Sequence, residues 1–360
     1  MSIARVTVRV IERDMGGRSW NPRMRWSRKQ ILLAFVETAD GKVGVGEAWV
    51  TGGTPRAIQA VIEDDIAPLL VGEEPFVAAR IGRALFRGTE MSNRTGAVAC
   101  AWAAVETALM DLQGKLLGRS LGELLGRTQD SIFAYASAGL YGEGKGPDQL
   151  AAEVRGWVDR GFTAVKIKVG GASLVEDVRR VAAVREAIGP ETQLMVDALY
   201  NLDVAEAIAM ARALEPYGIH FLEAPVSPHD VEGQALVAAA APMPVAGNET
   251  LAWVAGFKRL IEARAVHFVQ FDIAACGGVA EGRRIGELAM AHHLPCTLHA
   301  ASSCALFAAS LQLASALPNC VSIEYHMMHQ WLWDLVPAGL FDAVGGRVAV
   351  PTGDVYKRQR

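Results

Sequence analysis

From about residue 131 onwards, short apolar segments alternate with longer amphipathic segments at a regular interval. The short segments have the length and composition of buried parallel strands, and the longer ones have the 3.6-residue period of helices. The eight predicted strands are Ile132–Ser137, Ala164–Val169, Leu194–Asp197, His220–Ala224, Pro244–Glu249, Phe268–Ile273, Pro295–His299 and Val321–Tyr325. Eight strands with intervening helices predict an α/β fold, a modified TIM (β/α) barrel over residues 129–334. An open doubly wound sheet fits less well, because no G-x-G-x-x-G motif follows an early strand.

The first 128 residues follow a different pattern. The alternation predicts a meander of strands that is followed by helices: strands over 3–11, 30–38 and 43–49, and helices over 55–70, 75–87 and 96–117. This order predicts an N-terminal α+β capping domain over residues 1–128. Residues 345–351 have the pattern of a returning strand, so we expect 335–353 to complete that domain. The last seven residues, 354–360, resemble a translated sequencing adapter and are expected to be a non-native tail.

Composition narrows the class of protein. A hydrophobic share of 51% and a charged share of 21% are typical of a globular protein with a large core. The net charge of -4, without a basic block, argues against nucleic acid as a partner. The five cysteines form no C-x-x-C pair, which disfavours a disulfide framework. No signal peptide and no membrane-spanning apolar run are visible, so we expect a cytoplasmic protein that does not bind membranes.

Two lysines stand on one apolar strand of the predicted barrel. Lys166 and Lys168 are two residues apart, so their side chains share a face of the strand. At about 6.6 Å apart, two ammonium groups repel by roughly 2.5 kcal/mol at an effective dielectric of about 20. This repulsion is enough to bring the pKa of one lysine from about 10.4 toward 8 or 9. One of the two can therefore act as a base near neutral pH.

Ionisable residues recur at the ends of the later strands. They are Asp197, Glu223, Glu249, Asp272, His299 and Glu324, at steps of 26, 26, 23, 27 and 25 residues. Each step is about one βα unit, and the carboxyl ends of barrel strands meet at one mouth. A single acid at such a position is more often a helix cap, and a single histidine is more often a core residue. Six in phase with the barrel, together with the two lysines, indicate an active site.

The residue types suggest how this site divides. Asp197, Glu223 and Glu249 come from consecutive strands, and three converging carboxylates need a cation. Their oxygen ligands suit Mg²⁺, whereas zinc is disfavoured because no histidine or cysteine joins them. Asp272 and His299 lie on adjacent strands, so the carboxylate can fix the tautomer of the imidazole and make it an acid/base group.

Three further residues of the predicted site, Lys168, His299 and Glu324, would surround the substrate at the mouth of the barrel. Lys168, on the second strand, and His299, on the seventh, would lie on opposite sides of a bound substrate. Glu324 would lie near the substrate carboxylate and, if protonated, could donate a hydrogen bond to developing negative charge.

These residues resemble the enolase superfamily, mandelate racemase subgroup. The motif Lys166-Ile167-Lys168, the three acids, the Asp272/His299 pair and Glu324 carry the resemblance. Residues 104–115, 221–225 and 272–278 are similar to further family motifs. A Lys or His base with Mg²⁺ is a known feature of this superfamily. The resemblance implies a capping domain over a modified barrel, and a homo-oligomer.

The resemblance also implies roles for the residues. Mg²⁺ would bind to Asp197, Glu223 and Glu249, and the shared step would be removal of the proton α to a carboxylate to give an enediolate. Lys168 would be the base on one face, with Lys166 lowering its pKa and touching the substrate carboxylate. His299 with Asp272 would be the acid/base group on the other face. Glu324 would be the electrophilic hydrogen-bond donor.

One departure from the family pattern concerns a substrate contact. Members often have Asp-x-Asn at the third strand, whereas this chain has Asp197-Ala198-Leu199. We therefore expect the contact to be lost or to move to Asn201.

Two reactions fit these residues. Dehydration of an acid sugar (an aldonate or aldarate) would use His299 as the acid that expels a β-hydroxyl, and racemisation or epimerisation would use it to reprotonate the opposite face. Two loops rich in polar residues, 15–28 and 50–54, would face the substrate and favour a polyhydroxylated acid. The candidate substrate contacts are Trp20, Arg23, Arg25 and Thr51 in these loops and Asn201 after the third barrel strand. We therefore expect a dehydratase, with the racemase as the alternative. A non-catalytic binding protein would lack a base or a metal ligand, and a Schiff-base enzyme would need one desolvated lysine instead of a pair.

Overall fold

The computed structural model describes residues 2–50, 55–91, 94–332 and 336–352. Its centre is a closed barrel of eight parallel strands, in which the last strand pairs with the first. The barrel strands are β5 (Ser131–Ser137), β7 (Ala164–Lys168), β8 (Gln193–Asp197), β9 (Ile219–Glu223), β10 (Val245–Gly247), β11 (Phe268–Phe271), β12 (Cys296–Leu298) and β13 (Cys320–His326). The predicted barrel is therefore confirmed.

Helices surround the barrel and connect successive strands. They are α6 (Pro147–Asp159), α7 (Leu174–Ile188), α8 (Val204–Leu214), α9 (Val231–Ala240), α10 (Trp253–Glu262), α11 (Ile273–Cys276), α12 (Val279–Ala291) and α13 (Cys304–Ala316), with 3₁₀ turns at Glu215–Tyr217 and Met327–Leu332. Capping side chains at the N-termini determine where several of these helices begin. The Asp203 carboxylate, for example, accepts a hydrogen bond from the Glu206 amide, and the Glu206 carboxylate accepts one from the Asp203 amide.

The N-terminal residues form a separate cap. A sheet of strands β1 (Ile3–Asp14), β3 (Arg28–Thr38) and β4 (Val43–Ala48) is antiparallel in the order β1-β3-β4. The short strand β2 (Ser19–Trp20) pairs with β6 (Tyr141–Gly142) of the barrel domain. The cap helices are α1 (Pro55–Ala60), a π-helical turn (Val61–Ile66), α2 (Ala67–Leu70), α3 (Ala78–Gly88), α4 (Ala97–Leu117) and α5 (Leu121–Leu125). The predicted α+β cap is thus confirmed.

The long helix α4 joins the cap to the barrel. Its buried Glu106 accepts hydrogen bonds from the amides of Val279, at 2.7 Å, and Ala280, at 3.2 Å. These amides belong to the first turn of α12, where backbone N–H groups lack partners within the helix. Burial raises the pKa of Glu106 to about 7. Glu106 therefore fixes the position of the cap over the mouth of the barrel.

Helix α4 also packs directly against the backbone of β4. A Cβ atom at Gly46 would lie 2.0 Å from the Ala104 carbonyl oxygen, which is too close for any side chain. We expect Gly46→Ala to lower the free energy of unfolding by about 3 kcal/mol, because the helix must shift to accommodate one methyl group. Thermal unfolding would measure this change. Gly88→Ala is the matched control, because nothing lies within 4 Å of its Cβ position. Equal melting temperatures for the two variants would contradict the prediction.

The C-terminal segment does not return to the cap, and that prediction is wrong for its described residues, 336–352. Strands β14 (Ala343–Val344) and β15 (Arg347–Ala349) form a hairpin, and β15 pairs antiparallel with residues 131–133 of β5. The barrel neighbours of β5 pair only with residues 134–137. The hairpin thus satisfies the backbone groups that the barrel leaves open. Residues 353–360, including the expected non-native tail, lie outside the described residues.

Apolar residues fill the space between the strands and the helices, and a smaller group closes the barrel floor. Tyr135, Ala164, Met195, Phe221 and Ala246 form that floor. Among the described residues, no helix combines the length and the apolar character that crossing a bilayer requires.

Candidate active site

The alternation of β7 points its two lysines into the barrel. Val165 and Ile167 pack on the helices, so Lys166 and Lys168 face the interior above the apolar floor. Lys166 is fully buried and Lys168 is 6% exposed. The strand register places Lys168 beside Asp197, and Asp197 beside Glu223. The structure therefore brings Lys168, Asp197 and Glu223 side by side at one end of the barrel.

Lys166 is held by carboxylates on several sides. Its ammonium lies 2.6 and 2.7 Å from the two oxygens of Glu223, 3.0 Å from Glu324 Oε1 and 3.8 Å from Asp197 Oδ2. Burial by itself would lower its pKa, but the charges of Glu223 and Glu324 raise the pKa well above its usual value. Lys166 is therefore a permanent positive charge inside the barrel.

Lys168 differs from Lys166 in its surroundings. Its ammonium bonds to Asp197 Oδ2. It lies toward the open end of the barrel, since it is the last residue of β7. A base must reach its substrate, and Lys168 is the more accessible of the two lysines.

The three predicted metal ligands crowd one another. Burial and the nearby charge of Asp197 raise the pKa of Glu223 to about 8, against the lowering effect of Lys166. Burial also raises the pKa of Glu249, and the charge of Asp197 adds to that rise. Glu249 accepts a hydrogen bond from the hydroxyl of Tyr200. Such crowding favours a cation among the three carboxylates.

Asp272 and His299 form a close pair. His299 Nδ1 lies 2.7 Å from Asp272 Oδ2, and its Nε2 lies 3.2 Å from Glu324 Oε2. Burial by itself would lower the pKa of His299, but the charge of Glu324 and the hydrogen bond to Asp272 raise it to about 9. At neutral pH the imidazole is therefore protonated and ready to act as an acid. The indole of Trp49 covers one side, with ring centroids 5.1 Å apart.

Glu324 lies between two cationic side chains of the site, Lys166 and His299. Burial would raise its pKa, but the charges of Lys166 and His299 lower the pKa well below its usual value. Its Oε1 lies 3.0 Å from the Lys166 ammonium, and its Oε2 lies 3.2 Å from His299 Nε2. The predicted role of Glu324 as a hydrogen-bond donor to the substrate stays a prediction.

The candidate substrate contacts lie in the lid, residues 15–28, and in the loop after β8. The Arg23 guanidinium donates hydrogen bonds to the carbonyls of Leu199 and Tyr200, both of which have positive φ angles. The Asn201 amide donates to the Gly170 carbonyl, at 2.8 Å. Arg23 and Asn201 thus hold loop backbone in place, and their contact with substrate stays a prediction.

The other lid candidates make contacts at the rim. Trp20 stacks on Tyr141 with centroids 6.3 Å apart, and the Arg25 guanidinium lies 4.6 Å from the Trp20 ring. Arg25 also forms an exposed ion pair with Glu143. Thr51 lies outside the described residues.

Sequence reasoning missed several residues at this site. Tyr200 and Trp49 contact Glu249 and His299, and buried Glu47 accepts a hydrogen bond from the Ser303 hydroxyl. Glu47 and Trp49 belong to the cap, and Tyr200 lies in the loop after β8. The period of the barrel strands therefore could not select them.

Two family models match the chain. The N-terminal domain of the mandelate racemase / muconate lactonizing enzyme family matches residues 23–126, and the enolase C-terminal domain-like model matches residues 149–354. The chain belongs to the enolase superfamily, in its mandelate racemase subgroup. The predicted resemblance is therefore confirmed.

Curated members of the superfamily are similar to this chain over most of its length. An arabinonate dehydratase from Saccharolobus solfataricus is 32% identical over 322 residues, which cover 89% of this chain and 86% of that protein. A D-galactarolactone cycloisomerase from Agrobacterium fabrum is 32% identical over 98% of this chain and 95% of its own.

Solved structures of the superfamily superpose closely on this one. The L-talarate/galactarate dehydratase from Salmonella typhimurium has a TM-score of 0.88 at 29% identity, covering 98% of this chain and 88% of its own. A variant of that enzyme is liganded with Mg and L-glucarate. An enolase superfamily member from Polaromonas has a TM-score of 0.91 at 28% identity, covering 99% of this chain and 94% of its own.

The donor set fits the cation that this superfamily uses. Among the described residues of this site, five carboxyl groups stand against three cationic side chains, so a divalent cation would balance the charge. The acids are Asp197, Glu223, Glu249, Asp272 and Glu324, and the cationic side chains are Lys166, Lys168 and His299. Among the described residues, no three acidic, histidine or cysteine side chains already converge as a ligand shell. The two lysines and Tyr200 bond to their oxygens instead.

Proposed function

We propose that this protein is a Mg²⁺-dependent acid-sugar dehydratase that converts an aldonate or aldarate to a 2-keto-3-deoxy acid. The observation that carries the proposal is the placement of Lys168 at the end of β7 and of His299 directly after β12, with Asp272 paired to the histidine. One group can remove the α-proton, and the other can protonate the leaving hydroxyl.

Lys168 is the base in this proposal. Its ammonium bonds to Asp197, and substrate binding would displace this bond and free the amine. The neutral amine takes the proton α to the substrate carboxylate. Lys166 then lies close enough to the carboxylate to stabilise the negative charge of the enediolate.

His299 is the acid. The β-hydroxyl leaves as water after it receives the proton from Nε2, and Asp272 holds the ring through Nδ1 during the transfer. Glu324 keeps Nε2 oriented toward the interior until the substrate arrives. The enol that remains tautomerises to the 2-keto acid: its C3 takes up a proton from solvent, and its C2 hydroxyl loses one.

Asp197, Glu223 and Glu249 would hold Mg²⁺, as the residue types and the crowded charges favour. When bound, the ion would act as a Lewis acid toward the substrate carboxylate. The arabinonate and L-talarate/galactarate dehydratases among the relatives, and the Mg in one related structure, support the proposal.

A second reaction has support from the relatives. The cycloisomerase from Agrobacterium covers nearly the whole chain, and such an isomerisation also starts by proton removal. The alternative from the sequence, a racemase or epimerase, would use Lys168 and His299 to exchange protons on opposite faces. A racemase or epimerase gives no 2-keto acid, which separates that alternative from the dehydratase.

A screen of aldonates and aldarates with Mg²⁺ tests the proposal. We expect one configuration to give a 2-keto acid, measured as its semicarbazone. Chelation by EDTA should abolish the signal, and added Mg²⁺ should restore it. Proton exchange at the α-carbon in D₂O without any keto acid would instead support an isomerase.

A further inference from the structure

Three buried side chains from distant parts of the chain lie together beneath the lid. The rings of His326 and His329 stack with centroids 4.4 Å apart, and Trp26 lies 5.5 Å from His329. The Lys29 ammonium lies 5.3 Å from the Trp26 ring. Lys29 belongs to β3 of the cap, His326 ends β13, and His329 lies in the following 3₁₀ turn. We call Lys29, His326 and His329 the lid cluster.

The polar atoms of the lid cluster lack partners within the described residues. Lys29 is only 8% exposed, and the two carboxylates whose charges act on it, Glu47 and Asp272, bond to Ser303 and His299 instead. Both ring nitrogens of His329, and Nδ1 of His326, are buried without a hydrogen bond among those residues. Burying such groups is costly unless something else satisfies them.

The lid cluster adjoins the acid side of the active site. His326 follows Glu324 by two residues on β13, so both side chains point to the same face of the strand. The groups that influence its pKa are Glu324, Lys168, His299 and Lys29, and those that influence Lys29 are Glu47 and Asp272. The lid cluster thus adjoins the active site but lies outside the proposed catalytic groups.

We infer that Lys29, His326 and His329 form a subsite for a second carboxylate, so that the substrate is a diacid, an aldarate. This inference rests on the proposed function. A carboxylate supplies the counter-ion that Lys29 lacks, which a terminal hydroxyl does not. It also accepts hydrogen bonds from neutral imidazole N–H groups.

The electrostatics of the lid cluster agree with this assignment. Burial lowers the pKa of His326 to about 3, against the raising effect of Glu324. Burial likewise lowers the pKa of His329. Both rings are therefore neutral and can donate to an anion without adding a buried charge. Burial also lowers the pKa of Lys29, and a bound carboxylate would favour its charged form.

Matched pairs of acids test the inference on the wild-type protein. D-glucarate is compared with D-gluconate, and galactarate with D-galactonate, in the presence of Mg²⁺. We expect kcat/KM to favour the diacid of whichever pair reacts. Equal or better turnover of the monoacid would overturn the subsite while the proposed function stands. Turnover of neither kind of acid would contradict the proposed function and the inference together.

The variant Lys29→Met tests the residue itself. Removing one partner of a buried, hydrogen-bonded charge pair should lower the ratio of diacid to monoacid kcat/KM by about 100-fold. Lys42→Met, on the exposed end of the same sheet, is the matched control and should leave the ratio unchanged. An unchanged ratio in Lys29→Met would overturn the inference.

A binding measurement separates recognition from turnover. In the Mg²⁺-loaded His299→Asn protein, calorimetry would compare diacid affinity with and without Lys29→Met. We expect the second substitution to weaken the diacid about 100-fold and the monoacid much less. Equal weakening of both acids would show that Lys29 acts only on the structure of the lid.

Discussion

Replacing Lys168 with alanine should abolish turnover without preventing Mg²⁺ binding. General base catalysis contributes typically about 100- to 10,000-fold, so we expect kcat to fall by at least that range. The metal ligands are unaffected, because Asp197 keeps its backbone position on β8 and loses only its bond to the lysine. Keto-acid formation and α-proton exchange in D₂O should disappear together, because both need proton removal.

The exposed Lys258, which forms a surface ion pair with Glu262, supplies the control. Lys258→Ala should retain full activity and Mg²⁺ affinity. Calorimetric titration with Mg²⁺ would verify that Lys168→Ala still binds the ion. Retention of α-proton exchange by Lys168→Ala would show that another group is the base. A borohydride-trapped adduct on Lys168 would instead indicate Schiff-base chemistry.

Replacing His299 with asparagine should separate the two halves of the reaction. We expect dehydration to fall by about 100- to 10,000-fold, because no acid remains to protonate the leaving hydroxyl. Lys168 is unchanged, so the α-proton should still exchange with solvent deuterium. Asparagine can also keep a hydrogen bond to Asp272, which limits the disturbance of the pair.

Nuclear magnetic resonance would follow the loss of the α-proton signal while the keto acid is assayed separately. His293→Asn is the matched control, because His293 is exposed and its positive φ of 58° suits asparagine. Loss of both exchange and dehydration in His299→Asn would make the histidine the base for this substrate. Full dehydration in the same variant would exclude it as the acid.

The dependence of kcat/KM for dehydration on pH should reflect the ionisation of His299. The pKa of His299 is raised to about 9, so the protonated form that donates to the leaving group is present below that pH. We expect the alkaline limb of kcat/KM to fall near pH 9 in the free enzyme, where the imidazolium loses its proton. His299→Asn should lack this limb. If the alkaline limb persists in His299→Asn, another group is responsible for it.

The barrel and the position of its site followed from the sequence. Strand and helix periods are local properties, and Asp197, Glu223 and Glu249 recur once in each βα unit. The alternation of Lys166 and Lys168 on one strand fixed the face on which both appear. These features need no knowledge of packing, because a parallel barrel brings every strand end to the same mouth.

Only the tertiary structure decided which groups touch. The pKa of Glu324 is lowered because Lys166 and His299 approach it from other strands. The pairing of β15 with β5 depended on which backbone groups the barrel leaves open. The lid cluster joins Lys29 to two histidines about 300 residues later in the chain. Local periodicity cannot encode such contacts, because they depend on how the cap docks on the barrel.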